Sequence, residues 1–219
     1  MEIAVARDIL SANDQVAAEN RSLLASQGVM AVNIMASPGA GKTSVIVATA
    51  ARLPGHMRPG VIEGDLASTL DTDALLARGI PAVQINTGGN CHLDAPMVRS
   101  ALPRLPLADI QVLFIENVGN LVRPAEFDLG AAVAVVVGSV PEGHDKPYKY
   151  PGMFAAADAV LLNKADLLAY FDFDLEYFRR GLAMVNPDAP LFAVSCRTGE
   201  GMAEWVSWLV NRCKVEAGS

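Results

Sequence analysis

The sequence predicts an α/β fold: a mostly parallel, seven-stranded sheet with helices on both faces. Two observations carry this. Short β-branched runs recur along the chain and alternate with helical stretches. Several of these runs are nearly continuously apolar, as in Val112-Leu113-Phe114-Ile115, Val133-Ala134-Val135-Val136-Val137 and Val160-Leu161-Leu162. Strands buried on both faces read this way, and they belong to parallel sheets covered by helices. The composition agrees, with 52% apolar and 19% charged residues over 219 positions, enough for a large core and too apolar for a disordered chain.

Taken in order, residues 11–27 form a helix with Val16, Ala17, Leu23 and Leu24 on one face, and Gly28 stops it. Strands are expected at 30–35, 61–64, 82–86, 112–116, 133–137, 159–163 and 191–195. The Pro/Gly-rich stretches 53–60 and 141–152 read as loops. Residues 201–210 form a final amphipathic helix in which Trp205 and Trp208 cover apolar surface. The expected division is an N-terminal helix (1–28) packed on one domain (29–213), followed by a tail (214–219). No internal repeat interrupts it.

Net charge is −7, which disfavours a nucleic-acid partner. The longest mostly apolar run, 129–140, falls well short of the roughly 20 residues needed to cross a membrane. Acids near Met1 do not suit a signal peptide. Three cysteines do not make a disulfide framework and fit a reducing, cytoplasmic setting.

The first strand runs into Ala36-Ser37-Pro38-Gly39-Ala40-Gly41-Lys42-Thr43-Ser44, then into an apolar helix at 45–51. This strand–loop–helix carries a Walker A core, with Ala36 where the pattern normally opens on Gly. The N–H groups of Pro38-Gly39-Ala40-Gly41-Lys42-Thr43-Ser44 (proline excepted) would cradle phosphates at a positive helix terminus. Lys42 would reach the β- and γ-phosphates, and Thr43 would ligate Mg²⁺. The domain is therefore of P-loop type.

Asn163-Lys164-Ala165-Asp166 follows the sixth strand and looks like the guanine-recognition motif of GTPases. A carboxylate at Asp166 accepts from guanine N1–H and its exocyclic amine, whereas adenine N1 presents a lone pair to it. Ser195-Cys196-Arg197 resembles the last base-contacting loop of that class. Acids for Mg²⁺ or water sit at two other strand ends. Asp65 closes the second strand, with Asp71 and Asp73 beyond it, and Glu116-Asn117-Val118-Gly119 closes the fourth. In the latter, Gly119 would donate to the γ-phosphate and Glu116 would hold Mg²⁺ directly or through water. Asp65, Asp71 and Glu116 are the metal or water-positioning candidates.

Cys91 and His92 are adjacent in Thr87-Gly88-Gly89-Asn90-Cys91-His92-Leu93-Asp94-Ala95. A thiolate and an imidazole suit Zn²⁺ or Ni²⁺, and a two-fold dimer would double the pair to four ligands. With this stretch the chain resembles the HypB family of GTPases, which help insert nickel into [NiFe] hydrogenase. The resemblance runs over roughly residues 11–210. It includes Asn13-Asp14, Ala17-Ala18-Glu19-Asn20-Arg21, Glu63-Gly64-Asp65, Asn86-Thr87-Gly88, Cys91-His92-Leu93-Asp94-Ala95, Ile115-Glu116-Asn117-Val118-Gly119-Asn120-Leu121 and Thr198-Gly199-Glu200-Gly201, beside the two nucleotide motifs.

The resemblance implies a G domain of SIMIBI type and a GTP-dependent homodimer. It implies a metal site built from Cys91 and His92 of both chains, and Lys149 reaching the partner's nucleotide. It also implies hydrolysis-driven nickel release to a delivery partner and the hydrogenase large subunit. Two departures stand out. Arg123 occupies a position where the family usually has cysteine, and a guanidinium cannot ligate a cation. Weaker metal binding, or a ligand set of Cys91 and His92 alone, is expected; Cys196, Cys213 and His144 are the possible substitutes but read better as structural. The Cys-rich and His-rich N-terminal extensions of some members are absent from these 219 residues, so nickel storage is not expected. Two other readings remain: a related GTPase serving urease or a cobalamin-dependent mutase, and a nucleotide-responsive docking module with little turnover.

Overall fold

The computed structural model describes residues 2–65 and 70–217. Its seven strands are β1 (Met30–Ala36), β2 (Pro59–Asp65), β3 (Ala82–Asn86), β4 (Val112–Glu116), β5 (Val133–Ser139), β6 (Ala159–Asn163) and β7 (Leu191–Ala193). They form one sheet in the order β3-β2-β4-β1-β5-β6-β7, and every pairing is parallel. All strands therefore end on the same edge, and β1 lies at the centre.

Alternation along each strand divides the core between two faces. Val32 and Ile34 of β1, Phe114 of β4, Val135 of β5 and Leu161 of β6 pack on one face. There they meet α2 (Lys42–Ala50) and α8 (Met202–Ala217). On the other face, Ala31, Ile62, Leu113 and Ile115 pack under α1 (Glu2–Ser26) and α4 (Ala95–Ala101), while Met35, Val136 and Val160 pack against α6 (Pro151–Ala155) and α7 (Leu175–Val185). The short helix α3 (Leu70–Leu76) places Leu75 in the first cluster, and α5 (Lys146–Lys149) packs on α7.

Several boundaries differ from the sequence reading; β2 begins at Pro59, inside the stretch 53–60 expected as a loop, and β5 runs on to Ser139. α1 begins at Glu2, ahead of the expected start near Ser11. Two short helices, α5 and α6, begin within stretch 141–152, where a loop is expected. Pro147 and Pro151 sit in the first turn of these helices, where a missing N–H costs nothing, so prolines that signal a loop start helices instead. β7 stops at Ala193, because Ser195 donates its N–H to Glu200 O within the following turn. α8 continues to Ala217, taking in residues expected as tail. Trp205 is fully buried and donates from Nε1 to Thr49 Oγ1 at 2.8 Å, tying α8 to α2; Trp208 stacks on it at 5.6 Å. Among the described residues no helix is long and apolar enough to cross a membrane.

α1 is held by directed polar contacts as well as by Ala17 and Leu24. Buried Asn20 donates to Ala95 O at 2.9 Å and Leu129 O at 3.2 Å. Asn13 donates to Asp128 O and accepts from Ala95 N–H, and Arg21 forks onto Asp128. Replacing Asn20 by Ala leaves two carbonyls without these donors. The expected loss is about 1–3 kcal/mol of unfolding free energy, read by urea denaturation followed by circular dichroism.

Candidate functional site

Strand ends converge on one edge, and the residues there form a cleft of about 760 Å³. Gly41, Thr43, Ser44, Asp71, Asn163, Lys164, Asp166, Cys196 and Arg197 line it, so most of the nucleotide residues expected from sequence come together. Lys42 opens α2, with Gly41 as its N-cap in the left-handed region. The turn after β4 lies against the phosphate loop. Asn120 donates its N–H to Ala36 O at 2.8 Å, and a Cβ on Gly119 would stand 2.9 Å from Pro38 N. A side chain there would have to displace the phosphate-loop backbone, so glycine is what lets the turn lie against that loop.

The base-reading loop is tied to the phosphate loop. Asn163 Nδ2 donates to Ala40 O at 3.0 Å and Lys164 Nζ to Gly39 O at 2.8 Å. Asp166 accepts from Ser195 Oγ at 2.6 Å and from Arg197 Nε at 2.9 Å. The Ser195 hydrogen bond, then the Arg197 charge, hold its carboxyl below the usual range. Cys196 donates to Asn163 Oδ1, and burial pushes its thiol up; it is a structural thiol beside the base loop.

At the phosphate end, Glu116 is buried. Its Oε1 accepts from Thr43 Oγ1 at 3.0 Å and stands 3.8 Å from Lys42 Nζ. Its Oε2 is buried and has no hydrogen-bond partner. Burial pushes the Glu116 carboxyl up to about 7, against the pull of Lys42 and Thr43. Beside it in register on β2 stands Glu63, also buried and also raised by burial, with Thr72 of α3 donating to it. The orphaned oxygen, the hydroxyl and the adjacent carboxylates are hard oxygen donors, the set that suits Mg²⁺. Asp65 ends β2 and Asp71 opens α3 on the same side. Residues 66–69, within the expected switch between these two acids, lie outside the described residues.

Sequence reading missed four residues here. Glu63 lies in the stretch Glu63-Gly64-Asp65 that carries the family resemblance but was given no site role, although an acid in an otherwise apolar run is itself a signal. Arg52 and Arg78 line the cleft from positions that look like ordinary helix-end cations. Asn117 is fully buried and links three segments, as described below.

Cys91 and His92 lie apart from the cleft, on the loop between β3 and α4. Cys91 is exposed, with Sγ 4.0 Å from His92 Nδ1. His92 stacks on Phe127 at 4.1 Å. Burial, then the positive charge of Arg123, hold its imidazole below the usual range. Arg123, at the expected cysteine position, pairs with Glu126 at 3.3 Å and faces the metal pair as a charge. Among the described residues no group of three or more His, Cys, Asp or Glu could hold a metal ion, so one chain offers two donors and neither Cys196, Cys213 nor His144 completes them. His144 accepts from Asp174 N–H and packs edge-on against Phe173 and Tyr177. Lys149 is exposed and paired with Asp145 on its own helix, which holds its ammonium up and the Asp145 carboxyl down.

Fold and cleft together define a P-loop nucleotide-binding protein, and residues 30–193 match the family model described as "CobW/HypB/UreG, nucleotide-binding domain". The hydrogenase maturation factor HypB of Azotobacter vinelandii is 52% identical over 94% of this chain and 68% of its own length. That of Escherichia coli K12 is 49% identical over 94% and 71%. The crystal structure of HypB from Helicobacter pylori in complex with nickel superposes with a TM-score of 0.90 at 38% identity, covering 94% of this chain and 96% of that one. HypB from Archaeoglobus fulgidus superposes with a TM-score of 0.87, also at 38% identity, over 93% and 100%. The signal recognition particle receptor FtsY of Elizabethkingia anophelis shares the fold alone, with a TM-score of 0.51 at 17% identity. The chain belongs to the HypB family of hydrogenase maturation factors.

Glu116 gives a pH signature. Burial raises its carboxyl above the ordinary glutamate value of 4.5, so its protonated form favours folding. That contribution is complete below 4.5 and is lost as pH rises through about 7. Relative to Glu116→Gln, the wild type should lose on the order of 3 kcal/mol of unfolding free energy across that window, read by denaturant titration at several pH values without nucleotide or Mg²⁺.

Proposed function

We propose that this chain is a GTP-hydrolysing switch for nickel insertion into [NiFe] hydrogenase, acting in the reducing cytoplasm as a homodimer. The observation that carries the reading is the single cleft holding both a Walker A loop and Asp166, joined by Asn163 and Lys164. Pro38, Gly39, Ala40, Gly41, Lys42, Thr43 and Ser44 would hold the phosphates. Asn163, Lys164, Asp166 and the loop Ser195-Cys196-Arg197 would hold guanine. Largely exposed Arg197 yields Asp166 Oδ2 to the base at little cost.

Thr43 and Glu116 would hold Mg²⁺, with Asp65 and Asp71 beside it; the ion supplies charge neutralisation on the β- and γ-phosphates. Water attacks the γ-phosphorus as its bond to the bridging β-phosphate oxygen breaks; Lys42 binds the β- and γ-phosphate oxygens and stabilises the charge that develops, while Gly119 donates its N–H to the γ-phosphate. Burial holds the Glu116 carboxyl up to about 7, and positive charge beside it would favour its ionised form. Phosphate release then frees the turn 116–119.

Nickel is the cargo. A nickel-bound crystal structure of the Helicobacter pylori relative supports this, together with the exposed Cys91–His92 pair. Two donors per chain call for a second copy to complete four. In such a dimer Lys149 would exchange Asp145 for the partner's nucleotide, and cargo would pass to a delivery partner and the hydrogenase large subunit. Beside the pair, Arg123 adds positive charge that opposes a dication.

Two experiments test the reading. Asp166→Asn should abolish the preference for GTP over ATP in nucleotide binding and phosphate-release assays; an unchanged preference refutes the base assignment, and absent turnover in the wild type favours the docking-module alternative. In Ni²⁺ and Zn²⁺ titrations, Cys91→Ala should lose at least about tenfold in affinity, and Arg123→Cys should gain by a similar factor. Wild-type affinity in Cys91→Ala removes the site.

A further inference from the structure

The Cys91–His92 loop is gripped by the two strand ends that read the nucleotide. The residue after His92, Leu93, is fully buried. Its N–H donates to Asn117 Oδ1 at 3.0 Å. The same oxygen accepts from Val118 N–H at 3.0 Å, and Asn117 Nδ2 donates to Asn33 Oδ1 on β1 at 3.2 Å. Asn117 has no solvent exposure and its own N–H bonds to Ile34 O. One side chain thus joins β1, the turn 116–119 and the residue adjoining the metal pair.

The Leu93 side chain makes the second contact. A Cβ on Gly64, the residue before Asp65, would stand 2.7 Å from Leu93 Cγ. Both contacts sit next to residues assigned to the γ-phosphate or Mg²⁺. Two residues further on, Ala95 is fixed instead to α1, by Asn13 on its N–H and Asn20 on its carbonyl. Position 93 answers to the nucleotide edge, and position 95 to a helix that does not touch the cleft lining.

We propose that Asn117 is the positioning residue that couples the nucleotide state to the metal pair, an inference that rests on the GTP-switch reading above. Two N–H groups share one amide oxygen, so the turn 116–119 cannot shift toward or away from a γ-phosphate and leave Leu93 in place. Either Leu93 moves with it, carrying His92, or a buried N–H loses its partner, which is strongly disfavoured. Directed hydrogen bonds convert a small shift at Gly119 into a displacement one residue from the imidazole.

The test is Ni²⁺ titration into the GDP-bound protein and into the protein bound to a non-hydrolysable GTP analogue. Wild type should show affinities differing by about tenfold between the two states, within the usual range of site–site coupling. Asn117→Ala should bring the ratio to within about twofold, with GDP affinity and far-UV circular dichroism retained. Asn117→Asp keeps an oxygen for Leu93 and Val118, with the Asn33 amide turned over to donate, and should preserve most of the ratio. Asn20→Ala, which loosens α1 but leaves the link, should also preserve it. If Asn117→Ala does not fold, Asn117→Ser, too short to reach Leu93 N–H, is read in its place. A wild-type ratio in folded Asn117→Ala or Asn117→Ser overturns the role of Asn117 and leaves the switch standing. Equal Ni²⁺ affinity in the two states of the wild type overturns the switch, and the coupling with it.

Discussion

A buried carboxylate at the end of the second most central strand governs this molecule. Glu116 stands beside Glu63 in a low-dielectric position where two ionised acids repel each other. Without compensation this end of the sheet would be unstable at neutral pH. Lys42 and Thr43, both from the first turn of α2, supply the compensation. The strain is thus local to this end of the sheet, and the first turn of α2 relieves it. Burial still holds the Glu116 carboxyl up, to about 7.

Legibility in the sequence followed the strength of the local physics. Strands buried on both faces leave runs such as 133–137 that no helix pattern imitates, and all seven were placed close to their true bounds. Loops read from Pro and Gly were less secure, because Pro147 and Pro151 serve as helix starts once α7 covers them. The nucleotide residues were legible because motif spacing fixes them on strand ends. Glu63 and Asn117 were not, since their meaning lies in a register pairing and in a bond spanning 24 residues, neither of which is local.

The metal pair shows the opposite imbalance. Cys91 and His92 were conspicuous in sequence, yet one chain surrounds them with Phe127 and Arg123 rather than with further donors. Burial against an aromatic face and the positive charge of the guanidinium disfavour the imidazolium and favour the neutral form of the ring. They also raise the local potential against a dication. The two effects oppose each other.

The latches on α1 also bear on how the chain is made. Asn13 and Asn20 bond to residues 75 to 115 positions later in the sequence. α1 leaves the ribosome before its docking surface, which is complete only when the segment through Gly130 has emerged and β4 has joined the sheet. Through that interval the bonds of Asn13 and Asn20 to Ala95, Asp128 and Leu129 cannot form. A helix made early is therefore settled late, and its final docking waits until the centre of the sheet exists.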